Sequence, residues 1–444
     1  MSASSNFVKL IDRAQLALYG APAFALAIPL IPAQVLLPEF YAANTAVALS
    51  AVGLALLLAR GLDFLTDPLI GALVDRSLMA GRGLRRMIGG GAMLCGGSLY
   101  QLFTPEPGAT ALYLFIWSAL LFCGWSFIQI PYTVYAARLS AVPKDRLRLN
   151  GAREAAGILG IMAASIFVAI WAVDDPARQL RDLALLTMIA GGGALLFFLW
   201  FMPVLRAAPD DFPIKRDGWF SMLGFAPARR LVSAWFLNGI ANGLPAVCFP
   251  LYLALILEGS STEKGIALML YFLSAVLAVP VWVRLSSSVA THRVWCWAMI
   301  LACMAFALVP FLGPGDMVFF SLVCLVTGIA FGADLALPPA IQADVSDWDR
   351  DQNGRDRAGS LFALWGMTTK LALGLAAGIA LPVLQWAGVS AGAESATEAG
   401  KTALILIYSG MPVVIKISAI CLVWSFPNAY RPMMHPTGFS GERE

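Results

Sequence analysis

The chain has 444 residues, 59% of them hydrophobic and 13% charged, with a formal net charge of +3 at pH 7. A soluble domain carries roughly twice that charged fraction, so a soluble fold is excluded and a polytopic all-α membrane protein is expected. The seven cysteines stand singly in apolar segments, without metal-ligand spacing and in odd number, so neither a metal cluster nor a disulfide framework is expected, and no nucleic-acid partner is.

Twelve apolar segments, each near the roughly 20 residues that a span needs, are predicted at 12–38, 45–74, 87–104, 111–136, 153–173, 182–204, 231–257, 265–284, 294–313, 317–343, 358–388 and 402–428. Met1 to Phe7 is short and polar and the first span follows directly, so no cleavable signal is expected. The first span reads Tyr19-Gly20-Ala21-Pro22-Ala23-Phe24 and contains no acid. The second carries Arg60, Asp63 and Asp67 inside an apolar run, followed by Pro68. At about 100° per residue the three charges share one narrow face. Charges inside a span are costly and mark function by default. Two carboxylates one turn apart repel unless a cation or proton lies between them, so Asp63 and Asp67 are read as a cation site, with Na+ or H+ as the coupling ion. Pro68 leaves the carbonyl of Phe64 without its helical donor, as a further ligand. The alternative is a structural Arg–Asp pair between helices.

The loop after the second span reads Gly71-Ala72-Leu73-Val74-Asp75-Arg76, then Gly81-Arg82-Gly83-Leu84-Arg85-Arg86. Gly71 is expected to let helices approach closely, while Asp75, Arg76 and Arg82 make charged contacts that break on opening. The bland reading is that the arginines only set topology. In the fourth span Trp125, Gln129 and Tyr132 share a face that suits a small-molecule site. Arg153 enters the fifth. The polar stretch 206–230 is read as a cytoplasmic linker between a half at 1–205 and a half at 231–428, with a cytoplasmic tail at 429–444. Asn238 and Asn242 lie four apart in the seventh span. His292 falls in a predicted loop. Asp334 is an acid within the tenth span, with no base nearby in that span. The loop 344–357 carries Asp344, Asp347 and Arg355, which are read as gate partners for the basic loops of the first half, or as a solvated loop. The eleventh span holds Trp365 and Lys370, with Gly366, Gly374 and Gly378 at intervals of four around the lysine, a small-residue face of the kind that packs closely. A lysine there needs a partner, and Asp63 and Asp67 are the chemical answer, so Lys370 is read as a resident counter-ion. Lys416 in the twelfth span is unexplained.

With both termini in the cytoplasm, 23 of the 30 lysines and arginines lie inside and 4 outside, a strong positive-inside asymmetry. The halves echo each other: Ile130-Pro131 in the fourth span matches Leu337-Pro338 in the tenth, and Asn150-Gly151 before the fifth matches Asn353-Gly354 before the eleventh. Such a 6+6 pattern is the signature of the major facilitator fold and of alternating access. The loop after the second span looks like that superfamily's cytoplasmic motif.

The Arg-x2-Asp-x3-Asp-Pro run resembles the glycoside–pentoside–hexuronide:cation symporters, the melibiose permease family. So do Ile128-Gln129-Ile130-Pro131-Tyr132, the Arg146…Arg153 approach, and the Asp344-x2-Asp347…Gly354-Arg355 loop that leads to Lys370. The resemblance runs through both halves. It implies a cation site of Asp63, Asp67, Ser126 and Lys370, with Arg60 beside it, and the family's basic residue entering the fifth span is matched by Arg153. The residues themselves offer Tyr19, Trp125, Gln129, Tyr132, Asn238, Asn242, Asp334 and Trp365 as the rest of a substrate site. The family's galactoside transporters use an acid in the first span and another before the fourth-span Ile-Pro. This chain has none in the first span and Gln129 at the second position, so galactosides are not expected.

The expected function is therefore cation-coupled symport of a small organic solute, sugar- or glycoside-like, by a monomer in a bacterial inner membrane. The alternative is a lipid or lysolipid transporter of the same fold. An intramembrane Asp-rich prenyltransferase is a more distant rival, since twelve spans with a 6+6 echo exceed that fold. No Walker A run is present, so direct ATP use is not expected, and no cofactor is.

Overall fold

The computed structural model describes residues 12–30, 32–45, 47–79, 83–139, 143–171, 173–203, 223–353, 358–389 and 396–426. Twelve long helices fill these ranges. They are α1 (Arg13–Asn44), α2 (Leu49–Met79), α3 (Gly83–Phe103), α4 (Ala111–Leu139), α5 (Pro143–Ile170) and α6 (Pro176–Phe201). The second six are α7 (Ala226–Leu257), α8 (Ser261–Ser286), α9 (Thr291–Phe311), α10 (Met317–Asn353), α11 (Ala358–Trp386) and α12 (Glu398–Trp424). Eleven are long and apolar enough to cross a membrane. Only α3 falls short, because Gly89, Gly90, Gly91, Gly96 and Gly97 dilute its apolar surface. Of these, Gly91 serves close packing: a Cβ on it would lie 2.9 Å from the carbonyl oxygen of Gly124 in α4, and a Cβ on Gly124 would lie 2.7 Å from the backbone N of Cys95 in α3, so only glycines permit this approach.

Helix starts follow sequence chemistry. The Asp12 carboxylate accepts from the Gln15 backbone N–H at 2.7 Å while the Gln15 side chain accepts from the Asp12 N–H, and Ser260 with Glu263 repeats the device at α8. In hydrocarbon every backbone group must be satisfied internally, which is why the long apolar runs settle as helices. Large apolar side chains also face outward, among them Leu65, Leu69, Trp200 and Trp386, the last 90% exposed, as a lipid-facing surface requires.

The neighbour relations repeat between halves. In the first, α1 packs on α5 and α6, α4 on α2 and α3, and α3 on α6. In the second, α7 packs on α11 and α12, α10 on α8 and α9, and α9 on α12. Each pair maps onto its counterpart six helices on, so the expected two-half architecture is what the contacts build. Across the halves α2 packs on α11 and α5 on α8, again a symmetric pair. Even the wider π-type turns at Pro32–Leu36 of α1 and Leu253–Leu257 of α7 correspond.

Several expectations need correction. The loop placed at 344–357 is helix as far as Asn353, where α10 ends. His292 lies in the first turn of α9, buried beside Phe426 with ring centroids 6.0 Å apart, rather than in a loop. A Cβ on Gly71 would meet nothing within 4 Å, so that glycine does not mark a close approach. Residues 206–222 of the expected linker and the whole expected tail, 429–444, fall outside the described residues.

Candidate functional site

Asp63 sits midway along α2, only 2% exposed, and Asp67 follows one turn later. Lys370 reaches them from the middle of α11. Its ammonium is 3.0 Å from Asp63 Oδ2 and donates to Asp67 Oδ2 at 2.7 Å and to Ser126 Oγ of α4 at 3.0 Å. The Ser126 hydroxyl in turn donates to Asp63 Oδ1 at 3.0 Å. All three ammonium protons thus have oxygen partners. Arg60 lies 3.7 Å from Asp63 Oδ2 and places its guanidinium 3.6 Å above the Phe122 ring centroid. Two cations and two carboxylates make the cluster neutral, which is what makes its burial tolerable. The α11 glycines bring it together: a Cβ on Gly374 would lie 2.8 Å from Arg60 Cβ, and one on Gly378 would lie 2.8 Å from Leu57 Cβ. Gly366, in contrast, has nothing within 4 Å.

The donor set fits a small hard cation. Asp67 Oδ1 is buried with no hydrogen-bond partner among the described residues, Asp63 Oδ2 and Ser126 Oγ are held by the lysine, and Asp63 Oδ1 accepts from the Ser126 hydroxyl. Hard oxygen ligands suit Na+, and a carboxylate pair can instead take a proton. Among the described residues no group of three or more His, Cys, Asp or Glu side chains could hold a metal ion.

A second polar cluster lies in the other half. Asp334 of α10 accepts from Asn238 Nδ2 at 2.9 Å, Asn242 Nδ2 at 2.8 Å and Trp295 Nε1 at 2.6 Å. Lys416 of α12 donates to Asn238 Oδ1 at 2.7 Å and Asn242 Oδ1 at 2.8 Å. Asn242, Asp334 and Lys416 line a cavity of about 240 Å³ between the halves, whose remaining wall includes Leu30, Gln34 and Ile161 of the first half and aromatic and aliphatic side chains of the second. Sequence reasoning left Lys416 unexplained and missed Trp295. An intramembrane lysine is itself a signal, but its partners stand on other helices.

The other candidates are dispersed. Tyr19 and Tyr132 are fully buried, stacked with centroids 4.8 Å apart, and each hydroxyl donates to the other's backbone carbonyl. They lock α1 to α4 and do not line this cavity. Trp125 and Gln129 are half-buried on α4 and also lie off its wall. Arg153 pairs with its neighbour Glu154 at 2.5 Å. Trp365 stacks on Trp235, centroids 4.4 Å apart, and Trp235 Nε1 donates to Thr369 Oγ1 at 2.7 Å. Of the gate residues, Arg76 is exposed, Asp344 half-buried, and Asp347 bonds Arg350 of its own helix at 2.7 Å. The Asp75 side chain, Arg82 and Arg355 lie outside the described residues.

Residues 18–428 match the family described as MFS/sugar transport protein. The chain belongs to that family. It is an integral membrane transporter and not an enzyme, and the resemblance read from the sequence holds at the level of a major facilitator symporter family. This transporter is 23% identical over 402 residues to the putative glycoside/cation symporter YagG of Escherichia coli K12, covering 86% of this chain and 84% of that one. It is likewise 23% identical over 419 residues to sodium-dependent lysophosphatidylcholine symporter 1-B of Danio rerio, covering 84% and 79%. Among solved structures, a bacterial homologue of the human lysosomal transporter Spinster superimposes with a TM-score of 0.66 at 14% identity, covering 94% of this chain and 97% of that one. The nucleoside transporter NupG gives 0.62 at 14% identity, covering 93% and 99%. These two likenesses show the fold.

Proposed function

We propose that the protein is a cation-coupled symporter of a small organic solute, with Asp63, Asp67 and Ser126 as the ligands of Na+ or H+. The observation that carries this reading is Lys370 seated among all three, in the place a transported cation would take. The cluster is already neutral, so a further positive charge enters only if the lysine gives way. Lys370 is the resident counter-ion: it holds α11 against α2 and α4 when no cation is bound, and it swings out when one arrives. Its release loosens a contact between the two halves, which ties ion binding to their relative motion.

Besides the Lys370 cluster, two polar contacts between the halves among the described residues lie at one end of the bundle. Lys264 Nζ lies 2.8 Å from Glu39, and the Ser50 backbone N–H donates to Gln385 at 2.6 Å. The charge distribution assigns that end to the outside and both termini to the cytoplasm. We therefore read the conformation as closed outward, in a monomer of a bacterial inner membrane.

For the solute, a sugar- or glycoside-like compound other than a galactoside remains the first reading, supported by the YagG likeness. A lysolipid is the second. The apolar cavity wall, with Tyr271, Phe331 and Phe249 among its residues, and the acid-free first span favour it.

The test is uptake into proteoliposomes of labelled sugars, uronates, amines and lysolipids under imposed Na+ or pH gradients, in wild type and Asp63→Asn. Gradient-driven uptake that disappears in the variant is expected. Uptake indifferent to both gradients and to the substitution would leave Asp63 a structural residue.

A further inference from the structure

The carboxylate and ammonium of Asp334 and Lys416 are both buried, 5% and 2% exposed, yet they are not paired directly. Asn238 and Asn242 stand between them, their NH2 groups toward the carboxylate and their oxygens toward the ammonium. A carboxylate only accepts and an ammonium only donates, so this orientation of the amides is fixed by chemistry. A direct salt bridge would spend each charge on the other. The interposed amides leave each with unused capacity. Lys416 donates two of its three protons among the described residues, and Asp334 Oδ1 accepts one bond, from Trp295. Both side chains line the inter-half cavity, with an otherwise largely apolar wall. A buried ammonium facing only neutral amides lacks a full counter-charge.

Resting on the symporter reading above, we infer that Lys416 binds an anionic oxygen group of the transported solute, while Asp334 accepts from a hydroxyl beside that group. The solute is then an anion with an apolar body, which the aromatic part of the wall receives. A neutral solute would leave the Lys416 ammonium without a full counter-charge in this largely apolar wall. The anion can be a carboxylate on a glycoside-like body or a phosphate on a lipid. The charge requirement is common to both.

The test uses two probe pairs that differ in the anionic group: a 4-nitrophenyl hexuronide against the neutral 4-nitrophenyl hexoside, and a lysophosphatidate against the monoacylglycerol of the same chain. Affinity is measured by calorimetry on the full-length protein in nanodiscs. Wild type should prefer the charged member of at least one pair by about tenfold or more, the scale of a charge-assisted hydrogen bond. The pair that responds identifies the source of the anion. Lys416→Gln should lose the preference and Lys416→Arg should retain part of it. If Lys416→Gln fails to fold, the double variant Asp334→Asn with Lys416→Gln removes both charges and keeps a neutral hydrogen-bonding set, and it too should lose the preference. No preference in either pair, or a preference that survives loss of the ammonium, overturns the inference and leaves the network a staple between α7, α10 and α12. Binding of the cation is read on the same wild-type samples. A charge preference without any cation dependence would sink the coupling reading alone, and cation dependence without a charge preference would sink this inference alone.

Discussion

Asp67 Oδ1 is a buried carboxylate oxygen without a hydrogen-bond partner among the described residues, while its twin oxygen accepts from Lys370 at 2.7 Å. That asymmetry shapes what substitutions should do. Lys370→Ala leaves Asp63 and Asp67 one turn apart without the ammonium between them, and like charges so placed repel. The expected outcome is tighter binding of 22Na+ or a proton, with gradient-driven uptake lost, because nothing then reports cation release to α11. Normal coupling in this variant would contradict the counter-ion role. Ser126→Ala removes one bond from Lys370 and one from Asp63, and the cation affinity should fall about tenfold, the effect of one lost buried hydrogen bond of roughly 1–3 kcal/mol. At this scale the sequence was informative where a charge interrupts an apolar run. Asp63, Asp67 and Lys370 stood out for that reason and they do meet. Asp334 and Lys416 stood out too, but their connection through Asn238 and Asn242 crosses three helices, and no spacing along the chain records it. The Tyr19 and Tyr132 pair shows the reverse: an aromatic on a promising face became an interhelical lock.

Along a helix the sequence sets periodicity, and the fold decides which face meets a neighbour. The stripe of Gly366, Gly374 and Gly378 was legible as a small-residue face around Lys370, but only Gly374 and Gly378 pack closely. A Cβ on Gly378 would lie 2.8 Å from Leu57 Cβ, so Gly378→Leu should drive α11 off α2 and carry the lysine away from its carboxylates. Overpacking of this kind costs about 1–3 kcal/mol. A fall of several degrees in Tm, together with weakened cation binding, is expected in nanodisc thermal-shift and 22Na+ binding measurements. Gly366→Ala, with open space around it, should leave Tm unchanged. If Gly378→Leu matched wild type in both readouts, the α2–α11 contact would not position the site. The continuation of α10 through Asp344 and Asp347 to Asn353 was not legible, because a run of acids reads as loop by composition. In the structure Arg350 offsets Asp347 one turn away and the helix persists.

At the scale of the whole molecule, the two halves are held together at one end by the Glu39–Lys264 pair, the Ser50–Gln385 bond and the close approach of Gly265 to the Ala169 backbone. The pair is only about one-fifth exposed on each side, and a partly exposed ion pair contributes about 0.5–1 kcal/mol. Lys264→Met should therefore shift the population toward opening at this end by about two- to fivefold, visible as a longer spin-label distance across it. A distance distribution identical to wild type would show that apolar packing alone closes this end.

The sequence by itself determined that the chain lies in a membrane, that it forms two six-helix halves, and that its second and eleventh spans carry an ionic site. Those follow from hydropathy, from the internal echo and from the cost of charge in hydrocarbon, all of which are local or periodic. Only the tertiary structure decided that Lys370 is shared by Asp63, Asp67 and Ser126, that Asp334 and Lys416 are joined through two asparagines, and that the tyrosines of α1 and α4 face each other. Those depend on how helices rotate and approach, which is set by the sum of many packing contacts and leaves no mark in any single segment.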